Sequence, residues 1–298
     1  MSNPLRERLE SGQFAVTAEL TPPRGADFHS LEAAANILKP AVTAINLTDG
    51  AGARVRMSSL AASIKLKQMG VEPVMQITCR DRNRIAIQSD LLGAAAFGIS
   101  NVLVLTGDSV DAGDNADAKA VFDFSSKELV SALHTMTDSG TTLSGATLST
   151  APSFFPGAAD APRDPDDDWK PDGLLEKHTA GARFIQTQYC YDMDVFARYM
   201  QRLTDHGVTE KLHFIVGLGP LRSAEAATWM RDNLFGTIMP TVVIERMEAA
   251  HDPRQKGIEI CAELMQQASG INGVSGAHLM APGLHQEMVE AIGLAGVT

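Results

Sequence analysis

Short β-like runs and longer helix-like runs alternate along this chain almost from end to end, and that alternation limits the folds open to it. Eight β-like runs lie at about 14–20, 42–48, 73–78, 101–106, 143–149, 183–189, 212–217 and 274–280. Helix-like runs fall between them at about 28–39, 57–69, 84–97, 125–138, 172–181, 192–206, 222–235 and 255–269, with a last one at 284–294. Alternation of this kind implies βαβ units and a parallel sheet. Eight strands with eight crossovers are most simply closed into an α/β barrel, a single (β/α)8 TIM barrel spanning 1–298. The length agrees, since such a barrel takes about 250 residues. The alternative is a doubly wound open sheet. No strand is followed by GxGxxG or GxxxxGK[ST], the glycine-rich turns that seat phosphates in such sheets. The nearest approach, Gly217-Leu218-Gly219-Pro220, lacks the third glycine, and Pro220 offers no N–H.

Composition narrows the function. Hydrophobic residues make up 44 % and aromatics only 5 %, so the core should be built from Ala, Val, Leu, Ile and Met. The formal net charge is −11 and no basic stripe is visible, which speaks against nucleic acid and membrane-surface partners. The cysteines, Cys79, Cys190 and Cys261, form no CxxC pair and no zinc spacing, as expected in a reducing compartment. The charged start MSNPLRERLESG has no apolar signal core, and no stretch reaches the ~18 apolar residues of a membrane span. A soluble, cytoplasmic protein is expected. The eight histidines show neither HxxxH nor HExxH spacing, so no metal site is expected.

Barrel enzymes work at the C-terminal ends of their strands. In the first strand Phe14, Val16, Ala18 and Leu20 share one face and Ala15, Thr17 and Glu19 the other. The bulkier face should pack on helices, so Glu19 ends the face that looks into the barrel. An apolar setting favours the neutral form of a carboxyl, which suits a general acid. The bland alternative is an ion pair with Arg24. Thr48-Asp49 ends the second strand, Thr106-Gly107-Asp108 the fourth, and Gln186 and Gln188 interrupt the apolar sixth. Asp49 and Asp108 could equally be helix or turn caps. Glu19, Asp108 and Gln188 on three strands of one barrel would converge on one pocket.

Ser58-Ser59 and Ser125-Ser126 read as helix starts. The cluster Arg80/Arg82/Arg84 could hold phosphate, or could form an ion-pair network with Asp81 and Asp90. Two loops are unusual, one at about 109–123 with four aspartates and one at about 150–172 rich in Pro and Asp. The second reads equally as a lid or as a flexible insertion. Both follow β-like runs and should share one barrel face.

These motifs resemble those of the methylenetetrahydrofolate reductase family. Ala18-Glu19-Leu20-Thr21-Pro22-Pro23-Arg24-Gly25 resembles its first-strand signature, and Gln76-Ile77-Thr78-Cys79-Arg80-Asp81-Arg82-Asn83 its third-strand motif. Leu105-Thr106-Gly107-Asp108 resembles the fourth-strand motif, and Ala180-Gly181-Ala182-Arg183-Phe184-Ile185-Gln186-Thr187-Gln188 the sixth. Order and spacing fit from about residue 14 to 294, and 76–108 is most similar to the reductases of acetogenic and related bacteria.

The resemblance implies a flavoprotein of one-carbon metabolism and methionine biosynthesis that reduces 5,10-methylenetetrahydrofolate to 5-methyltetrahydrofolate with NADH or NADPH. It implies Glu19 as the acid at N10, Asp108 as the aspartate beside flavin and pterin, and Gln188 as the contact for folate and nicotinamide. Thr48, Gln76, Thr106, Asp108, Lys177 and Ala182 stand at flavin-contacting positions, FAD being the first expectation and FMN the second. Enterobacterial members have histidine where this chain has Gln76 and arginine where it has Thr106. Their tyrosine and histidine after strand five have no counterpart in 148–158. A flavin-free direct hydride transfer therefore stays open. So do a non-catalytic folate-binding subunit and an unrelated lyase or aldolase barrel. The chain stops short of a regulatory domain, so control by S-adenosylmethionine is not expected. A homo-oligomer is open.

Overall fold

Eight short staves bury both their faces, as strands covered by helices on one side and by each other on the other must. They are β1 (Ala15–Leu20), β2 (Ala44–Leu47), β3 (Pro73–Thr78), β4 (Asn101–Leu105), β5 (Phe155–Asp160), β6 (Phe184–Tyr189), β7 (His213–Leu218) and β8 (Val274–Leu279). In the computed structural model, which describes residues 2–115 and 117–297, they form a closed parallel barrel in chain order. The β1–β8 seam closes it with Ala15 against Gly276 and Thr17 against His278. The expected (β/α)8 barrel is what forms.

Helices alternate with the staves: α1 (Pro4–Glu10), α2 (His29–Leu38), α3 (Ser59–Gln68), α4 (Arg84–Ala96), α5 (Ser126–His134), α6 (Asp172–Ala180), α7 (Met193–Asp205), α8 (Ala224–Asn233), α9 (Thr241–Glu248), α10 (Pro253–Ser269) and α11 (His285–Ala295). Ser58 caps α3, and Ser125 forms a capping box with Glu128 on α5, so both serine pairs are helix starts.

Two apolar layers follow from the period-two alternation. Val16, Ala18 and Leu20 turn outward to the helices. Ala15, Ala44, Val74, Leu103, Phe155, Phe184 and Ile215 turn inward, and Leu5 and Leu9 of α1 plug the floor beneath them. The amino-terminal plug and α9 lack a foreseen run because both are short.

The fifth strand differs from expectation. Residues 143–149 form no stave; Thr141 and Thr147 pair in a small antiparallel turn. The stave is β5, disguised by Pro156 and Gly157, residues that normally weaken a strand. A Cβ on Gly157 would lie 2.2 Å from Cζ of Phe184, whose ring stacks on Phe155 at 5.4 Å. The glycine is the space that the floor aromatics need. The supposed loop 150–172 is therefore cut in two: 150–154 leads into β5 from the barrel's other end, and only 161–171 shares a face with 109–123.

Candidate active site

Above the apolar floor lies a polar layer. Thr17 Oγ1 is 2.8 Å from Nδ1 of His278. The Gln186 amide donates to Thr17 Oγ1 at 3.3 Å and to Asn46 Oδ1 at 3.2 Å, and Asn46 donates back to Gln186 Oε1 at 2.6 Å. All four side chains are buried, and each polar group has a partner, as burial demands. Gln186 interrupts an apolar run because it is the hub of this layer.

Glu19 stands one rung higher. Its Oε2 accepts from Gln76 Nε2 at 2.7 Å and lies 3.7 Å from Nε2 of His278. Arg24 is not its partner; that guanidinium pairs with Asp114 at 2.9 Å. Glu19, Gln76, Gln186, Gln188 and His278 line a cavity of about 510 Å³ at the C-terminal ends of the strands. Gln188 is fixed at its rim, donating to Phe235 O at 3.1 Å and accepting from the Tyr189 N–H at 2.9 Å.

The cavity thus unites Glu19 with Gln188, but not with Asp108. The Asp108 carboxylate is exposed and accepts from the Gly52 N–H at 2.8 Å. Buried Arg80 explains why: it donates to Gly50 O at 3.1 Å and Asp108 O at 3.3 Å, stapling the loops after β2 and β4 together. The three arginines of the cluster are taken up by ion pairs, Arg80 with Asp81, Arg82 with Asp49 and Asp90, and Arg84 with Asp123. Arg84 holds the Asp123 carboxyl down at about 2. Asp49 is structural: its carboxylate accepts from the Thr78 N–H at 2.8 Å and pins β2 to β3.

The flavin-contacting candidates separate. Thr48 is buried on the inward side of β2 with its hydroxyl lacking a partner among the described residues. Thr106 and Lys177 line a second cavity of about 520 Å³ beside β4, β5 and the capped start of α5. Lys177 Nζ donates to Ala159 O at 2.7 Å and pairs with Asp160 at 3.2 Å. Gln76 lies in the first cavity, committed to Glu19. Ala182 sits at the foot of β6, fully buried between sheet and helices, so it offers no surface to a cofactor.

Among the polar and aromatic residues of the first cavity, His278, Asp160, Arg163 and Phe235 were not singled out from sequence. The alternation Gly276, His278, Met280 in the eighth run was sufficient to aim His278 inward. Asp160 and Arg163 were hidden with the fifth strand. The three thiols are buried, and burial pushes Cys79 up to about 11 and Cys190 and Cys261 up to about 12, which leaves them unreactive. Among the described residues no His/Cys/Asp/Glu group is arranged to hold a metal, and no helix is long and apolar enough to cross a membrane.

The family described as methylenetetrahydrofolate reductase matches residues 4–292. A 5,10-methylenetetrahydrofolate reductase of Pectobacterium carotovorum subsp. carotovorum is 26 % identical over 202 residues, covering 66 % of this chain and 61 % of that protein. Methylenetetrahydrofolate reductase 1 of Schizosaccharomyces pombe is 26 % identical over 211 residues, covering 67 % of this chain and 32 % of its own length. The chain thus matches less than two thirds of either relative. A solved structure of a Clostridium thermocellum protein, which binds two copies of 5-methyl-5,6,7,8-tetrahydrofolic acid, superposes with TM-score 0.61 at 13 % identity, covering 98 % and 97 % of the two chains. At that identity the likeness is one of fold.

Proposed function

The chain belongs to the methylenetetrahydrofolate reductase family, and on that premise we propose that it reduces 5,10-methylenetetrahydrofolate to 5-methyltetrahydrofolate with NADH or NADPH, in a reaction that can also run backwards. The observation that carries the reading is Glu19, a carboxyl group at the end of β1 inside the cavity, held by Gln76 and faced by His278.

Both contacts fall on Oε2, which leaves Oε1, without a partner among the described residues, to carry a proton toward substrate. Protonated Glu19 gives that proton to N10. The bond from N10 to the bridging methylene breaks, its electron pair stays on N10, and the methylene becomes an iminium on N5. A hydride delivered to the iminium carbon completes the methyl group. Gln188, anchored at the rim, is the group for the folate and then the nicotinamide. Asp108 favours the cationic iminium in this reading, and to do so its side chain must leave the Gly52 N–H.

A flavin suits the residues present, because the buried Thr48 hydroxyl lacks a partner among the described residues and Thr106 and Lys177 share a cavity beside the site. These three would hold it, FAD before FMN, with Ala182 taking no part. When bound, a flavin supplies the hydride carrier between nicotinamide and folate.

The test is the absorbance spectrum of the purified protein, before and after NADH and then methylenetetrahydrofolate. Flavin bands that bleach with NADH and return with folate support the whole reading. A colourless protein that oxidises NADH only with folate present keeps the reaction and removes the flavin. No folate-dependent oxidation of NADH or NADPH sinks the proposal.

A further inference from the structure

Helix α4 is apolar on two faces. Ile87, Leu91 and Ala94 are buried against the core. On the other side Ile85, Ser89, Leu92 and Ala96 recur at the spacing of one helical stripe, and all are exposed. Ile85 is 72 % exposed, and Phe97, next after the stripe, 53 %. The polar groups along the stripe are satisfied within the chain. The Ser89 hydroxyl donates back to Ile85 O at 3.0 Å. Gln88 donates to Arg84 O at 2.8 Å and accepts from the Leu143 N–H at 2.9 Å. The two charges of the helix are neutralised, Arg84 by Asp123 and Asp90 by Arg82. The turn that Gln88 holds lies in a run, 139–159, without a charged residue. In a chain of net charge −11, such a face can meet its own copy without like-charge repulsion.

The two ends of the stripe also fit each other. Ala96 lies about 16 Å along the helix from the protruding Ile85. There it borders a cavity of about 490 Å³ between α4, α1 and the lead into β5. Arg6 in that cavity pairs with Glu10 at 2.7 Å, and Glu7 accepts from the Asn3 N–H at 3.1 Å. Laid antiparallel about a two-fold axis midway between Ser89 and Leu92, two copies of α4 set each Ile85 against the partner's Ala96. The same axis sets each Leu92 against the partner's Ser89. A large side chain meets a small one at every step, with a hollow waiting where the isoleucine arrives.

We infer that this face joins two copies of the chain into a symmetric dimer through antiparallel α4 helices, each Ile85 seated at the cavity beside the partner's Ala96. A two-fold contact must be self-complementary, with each pair occurring twice, and the stripe meets that condition in shape and in charge. The contact lies on the outer ring of helices, so the inference stands or falls apart from the folate reading.

The test is sedimentation velocity of the full chain from about 1 to 100 μM. The unaltered chain should sediment at twice its 31.8 kDa. Leu92→Glu, at an exposed position, places an unpaired carboxylate in the contact twice and should weaken association by about a hundredfold. Ser89→Lys introduces the opposite charge at the residue that the register sets against the partner's Leu92. An equimolar mixture of the two variants should therefore associate more tightly than either alone, because one new lysine meets one new carboxylate. Circular dichroism checks that both variants are folded. A larger assembly that falls to half its mass with Leu92→Glu supports the inference equally. A monomer throughout the range, a Leu92→Glu variant that associates like the unaltered chain, or a mixture no tighter than its components overturns it.

Discussion

Thr17 and His278 face each other across the β1–β8 seam, Oγ1 2.8 Å from Nδ1, and the contact turns the other ring nitrogen toward Glu19. A threonine hydroxyl one rung below the acid therefore sets the orientation of an imidazole that reaches it. His278 acts in this account as a positioning residue.

His278→Asn should lower kcat for folate reduction by about tenfold, the scale of a misplaced acid. Folate KM should change little, because the variant disturbs how Glu19 is held and not the contacts that bind folate at the rim. Equal losses in kcat and in NADH affinity would show a merely structural role.

Asp108→Asn tests the charge rather than the contact. The amide oxygen can still accept from the Gly52 N–H, so the clasp between the loops after β2 and β4 survives. Folate turnover should fall by about tenfold if the negative charge favours the iminium. Unchanged folate kinetics would remove Asp108 from the reaction and leave it as a loop cap.

Much of this architecture was legible in the chain. Period-two alternation in 14–20 separated Val16, Ala18 and Leu20 from Ala15, Thr17 and Glu19, and the barrel sorts them that way. The end of β1 was therefore readable as a site. The fifth strand was not, because its composition answers to a neighbour: Gly157 exists to admit Phe184, a contact 27 residues away along the chain and local only in three dimensions. That Asp108 lies outside the Glu19 cavity was not legible for a related reason. A strand-end carboxylate points wherever its loop is tied, and the tie is Arg80, on a different strand. Phe235 had no periodic signal, since its place is set by backbone pairing of an irregular segment to β6.

Glu72 supplies a prediction about stability. Burial raises its carboxyl above the ordinary 4.5, against the hydrogen bonds from Lys67 at 2.7 Å and Asn101 at 2.8 Å. For an acid raised on folding, the stabilising contribution is full below the unfolded value and is lost as pH rises through the folded one. Glu72→Gln should therefore gain stability relative to the unaltered protein as pH rises from below 4.5 to neutrality, read from urea midpoints. A relative loss over that range would mean that the Lys67 pair outweighs the burial.

The central claim is that Glu19 is the proton donor to folate and nothing more. Glu19→Gln keeps the size of the side chain and its contact with Gln76 while removing the proton. The measurement is NADH-dependent reduction of methylenetetrahydrofolate by this variant, alongside its affinity for NADH. The account predicts a loss of folate turnover of about 10²–10⁴-fold, the usual worth of a general acid, with NADH affinity within about twofold of the unaltered protein. Folate turnover at the unaltered rate would contradict it.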